Sequence, residues 1–266
     1  MQFKPLFLFI LSSLILNSCG NENQQTSPAG RFKNVREVRI DSEVLDEERL
    51  LYVYLPKDYQ EKNYDLLFLI DGEYPDIFGE ALKSFEDTAM EERIIVGIDN
   101  HLNRNRDLIP EKIAARPGSG EADKFLDFVT KELMPYVEQH YSTSQNRILF
   151  GGSNGGLFTL YAMFTQPEYF SSFISSSAMV GHCPELMYRL MEEQHKKETL
   201  KGKRLFIHYG MQDQFTQATD FLPQYSKTLK QRYKEFMTIK IVELPDGGHV
   251  PLEGIPEGLQ FVTARE

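Results

Sequence analysis

The chain has 266 residues, of which 41% are hydrophobic and 26% charged, an ordinary globular balance with enough length for one well-buried domain. Its formal net charge of −10 argues against nucleic acid as a partner, because binding a phosphate backbone needs a surplus of lysine and arginine. An acidic balance is otherwise usual for a soluble protein and indicates no particular partner.

The first 19 residues have the pattern of a signal peptide. Lys4 gives a short positive region, and the apolar run at 5–16 falls short of the roughly 20 residues needed to cross a bilayer. The run ends in Leu16-Asn17-Ser18-Cys19, which resembles a bacterial lipobox whose cysteine is lipidated. We therefore expect a lipoprotein tethered to a bacterial membrane through Cys19, in the periplasm or at the surface. A cleaved secretion signal and an uncleaved anchor are the alternatives.

The polar composition of residues 20–34, with Pro28 and Gly30, predicts a flexible tether. Cys183 is the only other cysteine, so a lipidated Cys19 leaves no intrachain disulfide. The folded domain is expected over residues 35–266.

Eight short strand-like runs follow the tether. The first two, at 35–40 and 50–55, alternate apolar with polar residues, as half-buried strands do. The runs at 66–70 and 94–98 are continuously apolar, which suits strands buried on both faces of a parallel sheet. The other candidate strands are residues 147–150, 173–176, 205–209 and 239–244.

Helical stretches are predicted between these runs. They cover roughly residues 76–90, 121–139, 155–165, 184–199, 220–235 and 252–264. Pro135 should kink or restart the second of them. Two strands followed by alternating strands and helices predict an α/β fold with a mostly parallel sheet of about eight strands, an antiparallel edge and helices on both faces.

The strongest local motif is Gly151-x-Ser153-x-Gly155, which directly follows a short apolar strand and directly precedes a helical pattern. In the α/β-hydrolase fold a nucleophilic serine sits on such a strained strand-to-helix turn, and glycines two residues away leave room for the backbone. The motif therefore predicts Ser153 as a nucleophile. The alternative is a glycine-rich turn with an idle serine.

A nucleophilic serine needs a base and an acid that orients it, in the chain order Ser, acid, His. His249 follows a strand and precedes the last helical stretch, so it is the expected base, ahead of His182 and of His208, which lies inside an apolar strand. Asp213 follows a strand end on the same edge as Ser153 and is the leading acid. Asp246, in the turn before His249, is its rival.

The oxyanion hole is expected to use two backbone amides. One belongs to Asn154, which follows the nucleophile, and the other to Glu73 in the loop after the third strand, where Gly72 lets the backbone turn. No metal-ligand spacing, phosphate loop or dinucleotide fingerprint occurs, so no metal or organic cofactor is expected.

Together these segments resemble the esterase family that includes esterase D, enterochelin (siderophore) esterases and feruloyl or acetylxylan esterases. The similarity runs from about Val38 to the C-terminus, in segments 49–56, 69–73, 96–100, 132–136 and 151–157. It implies a single-domain α/β hydrolase with Ser153, Asp213 and His249 as its triad, most like the compact siderophore-esterase type. The chain lacks tryptophan, so any aromatic wall must come from tyrosine or phenylalanine.

Two arginines after the fourth strand are candidate substrate contacts. Arg104 and Arg106 lie where the resembling family faces its substrate, and the arginine fork suits carboxylate or catecholate oxygens. The alternative is a solvated loop in which Asp107 pairs with one arginine. The expected function is hydrolysis of a small-molecule or carbohydrate ester through an acyl-enzyme. A feruloyl or acetyl-carbohydrate esterase, or a surface lipoprotein that binds a ligand without turnover, is the alternative.

Overall fold

The computed structural model describes residues 27–86, 90, 92–193 and 197–264. These residues form an eight-stranded sheet in the order β1-β2-β4-β3-β5-β6-β7-β8. The strands are β1 (Val35–Ser42), β2 (Glu47–Tyr54), β3 (Tyr64–Ile70), β4 (Ile94–Ile98), β5 (Thr143–Gly152), β6 (Ser172–Ser176), β7 (Arg204–Gly210) and β8 (Thr238–Leu244).

The sheet is mixed, with an antiparallel edge and a parallel body. Strand β2 pairs antiparallel with both β1 and β4, whereas the pairs from β4 through β3, β5, β6 and β7 to β8 are all parallel. The prediction of a mostly parallel α/β sheet is confirmed. Because the parallel strands all point the same way, the loops after β3, β4, β5, β6, β7 and β8 meet at one edge, where open α/β sheets bind ligands.

Helices cover both faces of the sheet. They are α1 (Pro28–Arg31), α2 (Pro75–Glu86), α3 (Arg104–Leu108), α4 (Ala122–Asp127), α5 (Met134–His140), α6 (Asn154–Thr165), α7 (Pro184–Glu193), α8 (Gln214–Ala218), α9 (Phe221–Tyr233) and α10 (Gly254–Thr263). One apolar cluster includes Phe125 and Phe158 on one face, and another includes Phe78 and Leu259 on the other. The predicted helices on both faces are confirmed.

The helix that contains Pro135 changes its winding before the proline. Residues Phe128–Leu133 are π-helical, and α5 begins at Met134 with Pro135 in its first turn. The helix continues through this point, because Leu133 is helical and the Met134 amide donates to the Val129 carbonyl. The kink or restart predicted at Pro135 thus takes the form of a change from π-helical to α-helical winding just before the proline.

The folded part begins earlier than the predicted boundary at residue 35. Ser27 caps α1 by accepting a hydrogen bond from the Gly30 amide at 3.2 Å, and Phe32 stacks on Phe78 of α2 with ring centroids 6.2 Å apart. The tether predicted over 20–34 is therefore too long, because the Phe32 ring has an apolar partner that pattern alone does not reveal. Cys19 and the predicted signal peptide lie outside the described residues.

Within residues 27–264, apart from the gaps given above, no helix has both the length and the apolar character needed to cross a membrane.

Candidate active site

Ser153 occupies a sharp turn between β5 and α6. Its backbone has φ of +59° and ψ of −119°, a conformation that residues with a Cβ rarely adopt. Strand and helix approach so closely here that a Cβ on Gly151 would lie 2.1 Å from the Gly155 carbonyl oxygen. The two glycines therefore permit the turn, which is the context that the motif predicts.

Hydrogen bonds from the neighbouring strand hold this turn in place. The Ser153 amide donates to the carbonyl of Ser176 at the end of β6, at 2.9 Å. The Ser153 carbonyl accepts from the amide of Met179, in the loop after β6, at 3.1 Å. The position of Ser153 is thus fixed by its backbone, while its hydroxyl makes no hydrogen bond within the described chain.

Asp213 and His249 are brought together by the loops after β7 and β8. His249 Nδ1 lies 3.1 Å from Asp213 Oδ2. The carboxylate is buried, whereas about a third of the His249 side chain is exposed, at 33%. A buried carboxylate on Nδ1 fixes the ring and its tautomer, which leaves Nε2 to exchange a proton with a reacting group.

Other contacts hold Asp213 and His249 in this arrangement. Asp213 Oδ1 accepts from the Phe215 amide at 3.1 Å, and Oδ2 accepts from Thr216 Oγ1 at 3.0 Å. The Phe215 ring packs against the His249 ring in an edge-on contact, with centroids 5.0 Å apart. Asp246, the rival acid, is exposed and makes no hydrogen bond with His249 in the described part of the chain. The geometry therefore favours Asp213.

The structure places both predicted oxyanion amides at the same sheet edge. Asn154 is the first residue of α6, where amides have no acceptor inside the helix. Glu73 lies in the loop between β3 and α2, flanked by amides that bond to Ile98 and Asp71. A Cβ on Gly72 would lie 2.3 Å from Gly97 Cα, so only glycine allows this loop to lie against β4.

The side chain of Glu73 also has an unusual environment. Its Oε2 accepts from the Asn100 amide at 3.2 Å, while Oε1 is buried and has no hydrogen-bond partner among the described residues. Burial, followed by repulsion from the Asp71 carboxylate, raises the pKa of Glu73 to about 7. The side chain of Glu73, whose own backbone amide is a predicted oxyanion donor, therefore changes charge near neutral pH.

Arg104 forms a two-pronged ion pair with Asp71. Its Nε and Nη2 donate to the two Asp71 carboxylate oxygens, both at 2.8 Å. Asp71 is buried, whereas 26% of the Arg104 side chain is exposed. The third guanidinium nitrogen, Nη1, makes no hydrogen bond in the described part of the chain, so Arg104 keeps a donor for another group.

Arg106 belongs to a more enclosed network. Its Nη1 and Nη2 donate to Glu47 at 2.9 and 2.5 Å, and its Nε donates to Asp107 at 2.8 Å. The fully buried Asp107 also accepts from Arg49 at 2.8 Å and from Asn100 at 3.1 Å. All three Arg106 nitrogens are thus engaged inside the protein. The pair between Asp107 and an arginine that the alternative expects is present, but Asp107 binds two arginines and the network is enclosed, not solvated.

The other two histidines weighed as bases lie elsewhere. His208 is fully buried in β7, beside Gly254, and burial lowers its pKa to about 3. His182, in the loop after β6, accepts from Arg116 through Nε2 at 3.4 Å. Neither forms a hydrogen bond with Asp213 or with any other carboxylate among the described residues, so neither has an orienting acid.

Sequence reasoning missed several supporting residues. Thr216 and Phe215 hold Asp213 and His249, and Ser177 accepts from the Val250 amide at 3.2 Å, which supports the His249 loop. The positive φ of Val250, +51°, gives no signal in sequence. The spacing Asp213-x-x-Thr216 could have been noticed, because an aspartate at a helix start often accepts hydrogen bonds from the next residues.

Among the described residues, no group of three or more His, Cys, Asp or Glu side chains could hold a metal ion.

Solved structures share this fold over most of the chain. An IroE-like serine hydrolase from Shewanella oneidensis has 23% sequence identity and a TM-score of 0.77, covering 87% of this chain and 82% of its own. The BES protein from Bacillus cereus has 22% identity and a TM-score of 0.75, covering 88% and 96%. At these identities the likeness establishes the α/β-hydrolase architecture.

Curated relatives match shorter segments. The siderophore triacetylfusarinine C esterase of Aspergillus fumigatus is 38% identical over 79 residues, which are 29% of this chain and 27% of the relative. The ferri-bacillibactin esterase BesA of Bacillus subtilis is 28% identical over 171 residues, which are 54% and 58%. The chain thus spans between about a quarter and three fifths of the lengths of these two relatives.

A family model covers most of the folded part. The model described as "Putative esterase" matches residues 42–249, which include Ser153, Asp213 and His249. The resemblance inferred from the motifs is confirmed. The chain belongs to this esterase family.

Proposed function

We propose that the protein is a serine carboxylic ester hydrolase that works through an acyl-enzyme. Ser153 Oγ attacks the ester carbonyl while His249 Nε2 accepts its proton, and the same proton then goes to the leaving alcohol. Asp213 holds the imidazole and stabilises its charged form. Water, activated by His249, then attacks the acyl-enzyme and releases the carboxylic acid.

The observation that carries this proposal is the buried Asp213 carboxylate on Nδ1 of His249, a side chain about one-third exposed, at the sheet edge that also holds Ser153. A strained serine turn alone would also fit a structural role. A histidine oriented by a buried acid at the same edge supplies the missing base.

The tetrahedral intermediate carries a negative oxygen that needs donors. We assign this role to the amides of Asn154 and Glu73, which face no backbone acceptor within the described chain. The N-terminus of α6 adds the positive end of its dipole at the same place.

For the substrate, we propose a siderophore-type ester. The support is that relatives of this chain are named as esterases of triacetylfusarinine C and of ferri-bacillibactin. The free Nη1 donor of Arg104 also lies at the proposed site and suits an anionic oxygen. A feruloyl or acetyl-carbohydrate ester is the competing substrate class.

The esterase proposal is tested by labelling with a fluorophosphonate. Wild-type protein should form one covalent adduct, mapped to Ser153 by mass spectrometry, and Ser153→Ala protein should form none. A folded wild-type sample that forms no adduct would favour a ligand-binding protein without turnover. A substrate panel of a ferric catecholate triester, methyl ferulate, acetylated xylan and p-nitrophenyl esters then ranks the substrate classes.

We also propose that the enzyme is a lipoprotein of the bacterial cell envelope. The support is the lipobox-like sequence that ends at Cys19, followed by a polar segment. A Cys19→Ser variant should leave the membrane fraction or fail to mature, because the lipid chains on the cysteine supply the anchor. Unchanged membrane association would indicate an uncleaved anchor instead.

A further inference from the structure

Asn100, the second residue after β4, is 1% exposed, and both polar atoms of its side chain are engaged inside the protein. Its Oδ1 accepts from the Asp71 amide at 3.1 Å, and its Nδ2 donates to Asp107 Oδ2 at 3.1 Å. Asp71 begins the loop after β3 that holds Glu73, whereas Asp107 belongs to α3. The Asn100 side chain thus joins the loop of the proposed oxyanion amide to the ion-pair network around Asp107.

The groups around Asn100 allow only one orientation of its side-chain amide. A backbone N–H can only donate, so the Asp71 amide requires the Asn100 oxygen. A carboxylate can only accept, so Asp107, which also accepts from Arg49 and Arg106, requires the Asn100 NH₂ group. A leucine of similar size would leave both partners unpaired, and an aspartate would set two carboxylates against each other. The position therefore requires an asparagine for its hydrogen bonds.

The segment 98–100 holds three consecutive residues of the loop after β3. The Asn100 side chain binds the Asp71 amide, as described above. The Gly72 amide donates to the Ile98 carbonyl at 2.8 Å. The Asn100 amide donates to Glu73 Oε2 at 3.2 Å. The loop is therefore fixed at each of its first three residues.

The first of these residues has a backbone conformation that needs such support. Asp71 has φ of +58°, in the left-handed region that residues other than glycine adopt uncommonly. Conformations of this kind persist where surrounding contacts fix them. Here Asn100 holds the Asp71 amide, and Arg104 holds both oxygens of its carboxylate. Both contacts come from the residues that follow β4.

Asn100 is itself fixed from strand β2. Arg49, 4% exposed, donates from Nη2 to the Asp99 carbonyl at 2.6 Å and from Nη1 to Asp107 at 2.8 Å. The Asp99 amide donates to the Leu50 carbonyl at 3.0 Å. The support of the loop thus reaches through Asn100 and Asp107 to the sheet.

The loop packs against the first turn of α6. A Cβ on Gly155, two residues after Ser153, would lie 3.4 Å from Asp71 Oδ2. A shift of the Asp71 turn would therefore change the distance between the proposed oxyanion amides of Glu73 and Asn154. Oxyanion donors act because they are placed in advance, and a misplacement of about 1 Å can cost about 10²-fold in rate.

We propose that Asn100 is the positioning residue of the oxyanion hole, which it supports by tying the Asp71 turn to Asp107. The inference rests on the proposed esterase function and adds to it the residue that fixes the Glu73 amide in place. Because Asn100 acts through the loop, its loss should weaken binding of the charged tetrahedral state and leave binding of the uncharged ester almost unchanged.

The first experiment compares two inhibitors of nearly the same shape, 1,1,1-trifluoroheptan-2-one and 1,1,1-trifluoroheptan-2-ol. Ser153 Oγ adds to the ketone carbon, its proton passes to His249 Nε2, and the π electrons of the C=O bond move to the oxygen, which becomes an oxyanion. The alcohol has no carbonyl group and forms no oxyanion. The ratio of the two inhibition constants therefore reports on the oxyanion hole.

Asn100→Ala should weaken inhibition by the ketone about 10²-fold and lower kcat for p-nitrophenyl butanoate by a similar factor. Inhibition by the alcohol and KM should change by no more than about twofold. Asn146→Ala is the matched control, because Asn146 lies in β5 at the far end from Ser153 and donates to Asp65 at 2.7 Å. This control should leave the ketone-to-alcohol ratio and kcat unchanged within about twofold.

Asn100→Ser provides a second variant if circular dichroism shows that Asn100→Ala does not fold. Its hydroxyl can bond the Asp71 amide or Asp107 but not both, so the ketone-to-alcohol ratio should change in the same direction by about tenfold. A folded Asn100 variant with an unchanged ratio would overturn the positioning role. So would a loss of ketone and alcohol inhibition by the same factor, which would indicate a general distortion of the site.

Hydrogen exchange of the wild type gives a test that needs no variant. The Asp71 amide, although it lies in a loop, should exchange within about tenfold of the rate of the amides in β4, because a buried side chain binds it. Exchange as fast as in an exposed loop would overturn the proposed support.

The outcomes separate the two proposals. If the wild type neither hydrolyses p-nitrophenyl butanoate nor binds the ketone more tightly than the alcohol, the proposed function fails. If the wild type does both and the folded Asn100 variants keep its ketone-to-alcohol ratio, the positioning role fails and the esterase proposal stands.

Discussion

The regions on the two sides of the Ser153 turn differ in chemistry: one is rich in charged side chains and the other is mostly apolar. On the β4 side lies what we term the charged flank, which consists of Glu47, Arg49, Asp71, Arg104, Arg106 and Asp107. On the β7 side lies the apolar flank, in which Met179, Phe215 and Phe221 line a cavity of about 200 Å³ together with His182 and the buried Asp213. Strong charges suggest a recognition surface, yet nearly all donors of the charged flank are used inside the protein. The apolar flank keeps open space and exposed aromatic rings.

The comparison shows that charge near a site and availability for a ligand are different properties. Desolvated charges must be paired, so the charged flank holds its own loops in place. Exposed aromatic rings carry no charge that must be paired, so their surfaces stay free to contact a ligand.

The largest loss of activity should follow substitution of Ser153, whose turn lies between the two flanks, or of His249. Ser153→Ala removes the proposed nucleophile, and we expect kcat to fall by a factor on the order of 10⁶. His249→Ala should fall by a similar factor and the double variant scarcely further, because nucleophile and base act as one unit. Steady-state kinetics with a p-nitrophenyl ester measures all three. A His249→Ala enzyme that kept a tenth of the wild-type kcat would transfer the role of base to another residue.

Asp213 tests whether the apolar flank carries the orienting acid. Asp213→Asn should lower kcat by about 10⁴, because the imidazole loses the carboxylate that sets its tautomer. Asp246→Asn is the matched control and should lose far less, since Asp246 is exposed. The reverse ranking of the two kcat values would make Asp246 the acid.

Asp107 tests whether the charged flank is a structural device. Asp107→Ala leaves the buried Arg49 short of a partner and should lower the free energy of unfolding by about 3–5 kcal/mol. Glu48→Ala breaks an ion pair with Arg39 in which both side chains are about half exposed, and should cost at most about 1 kcal/mol. Urea unfolding measures both. Equal losses in the free energy of unfolding would mean that the buried network contributes no more to stability than an exposed ion pair.

Glu73, two residues after Asp71 of the charged flank, adds a carboxyl whose charge depends on pH near neutrality. Its pKa is about 7, so the carboxyl is neutral below that pH and negative above it. The titratable groups that act on it are Asp71, Asp99, Tyr52, Tyr74 and Arg104. Ionisation places a negative charge beside the proposed oxyanion amide, so kcat/KM for a neutral ester should fall severalfold as pH rises through 7. Glu73→Gln should remove this fall, and an unchanged pH profile would show that Glu73 does not influence the reaction.

The smallest effects are expected on KM, and they should distinguish Arg104 from Arg106. Arg104 has a free donor and Arg106 has none, so Arg104→Ala should raise KM for an anionic ester, with little change for a neutral one. Arg106→Ala should change both KM values by no more than about twofold and act mainly on stability. A selective rise in KM for the anionic ester in Arg106→Ala would break the comparison, because it would make the enclosed arginine a substrate contact.

The sequence predicts the sheet well because its buried strands are continuous apolar runs, such as 94–98, which ends at the turn-favouring Asp99-Asn100. It does not predict α3 or α8, each five residues long. Their sequences are largely polar, and contacts from elsewhere in the chain hold them, such as the ion pair between Arg106 and Glu47. Local pattern carries no information about such partners.

Residues of the candidate site also differ in how far the sequence indicates them. The sequence points to Ser153, Asp213 and His249 because each lies next to a strand end within a recognisable turn. The pairing of Arg106 with Glu47, 59 positions apart, and the cavity beside Phe215 depend on which loops meet in space. Arg104 and Arg106 look equivalent in sequence, and only their three-dimensional partners distinguish them.

The strained backbone of Ser153 bears on how the sequence can evolve at this position. Its positive φ is one that glycine adopts freely and serine does not, so the turn keeps the chain less stable than it could be. A chain selected for stability alone would replace this serine by glycine and lose the proposed nucleophile. With serine here, the protein is less stable than with glycine in exchange for the proposed reactivity, and contacts elsewhere in the fold must supply the missing stability.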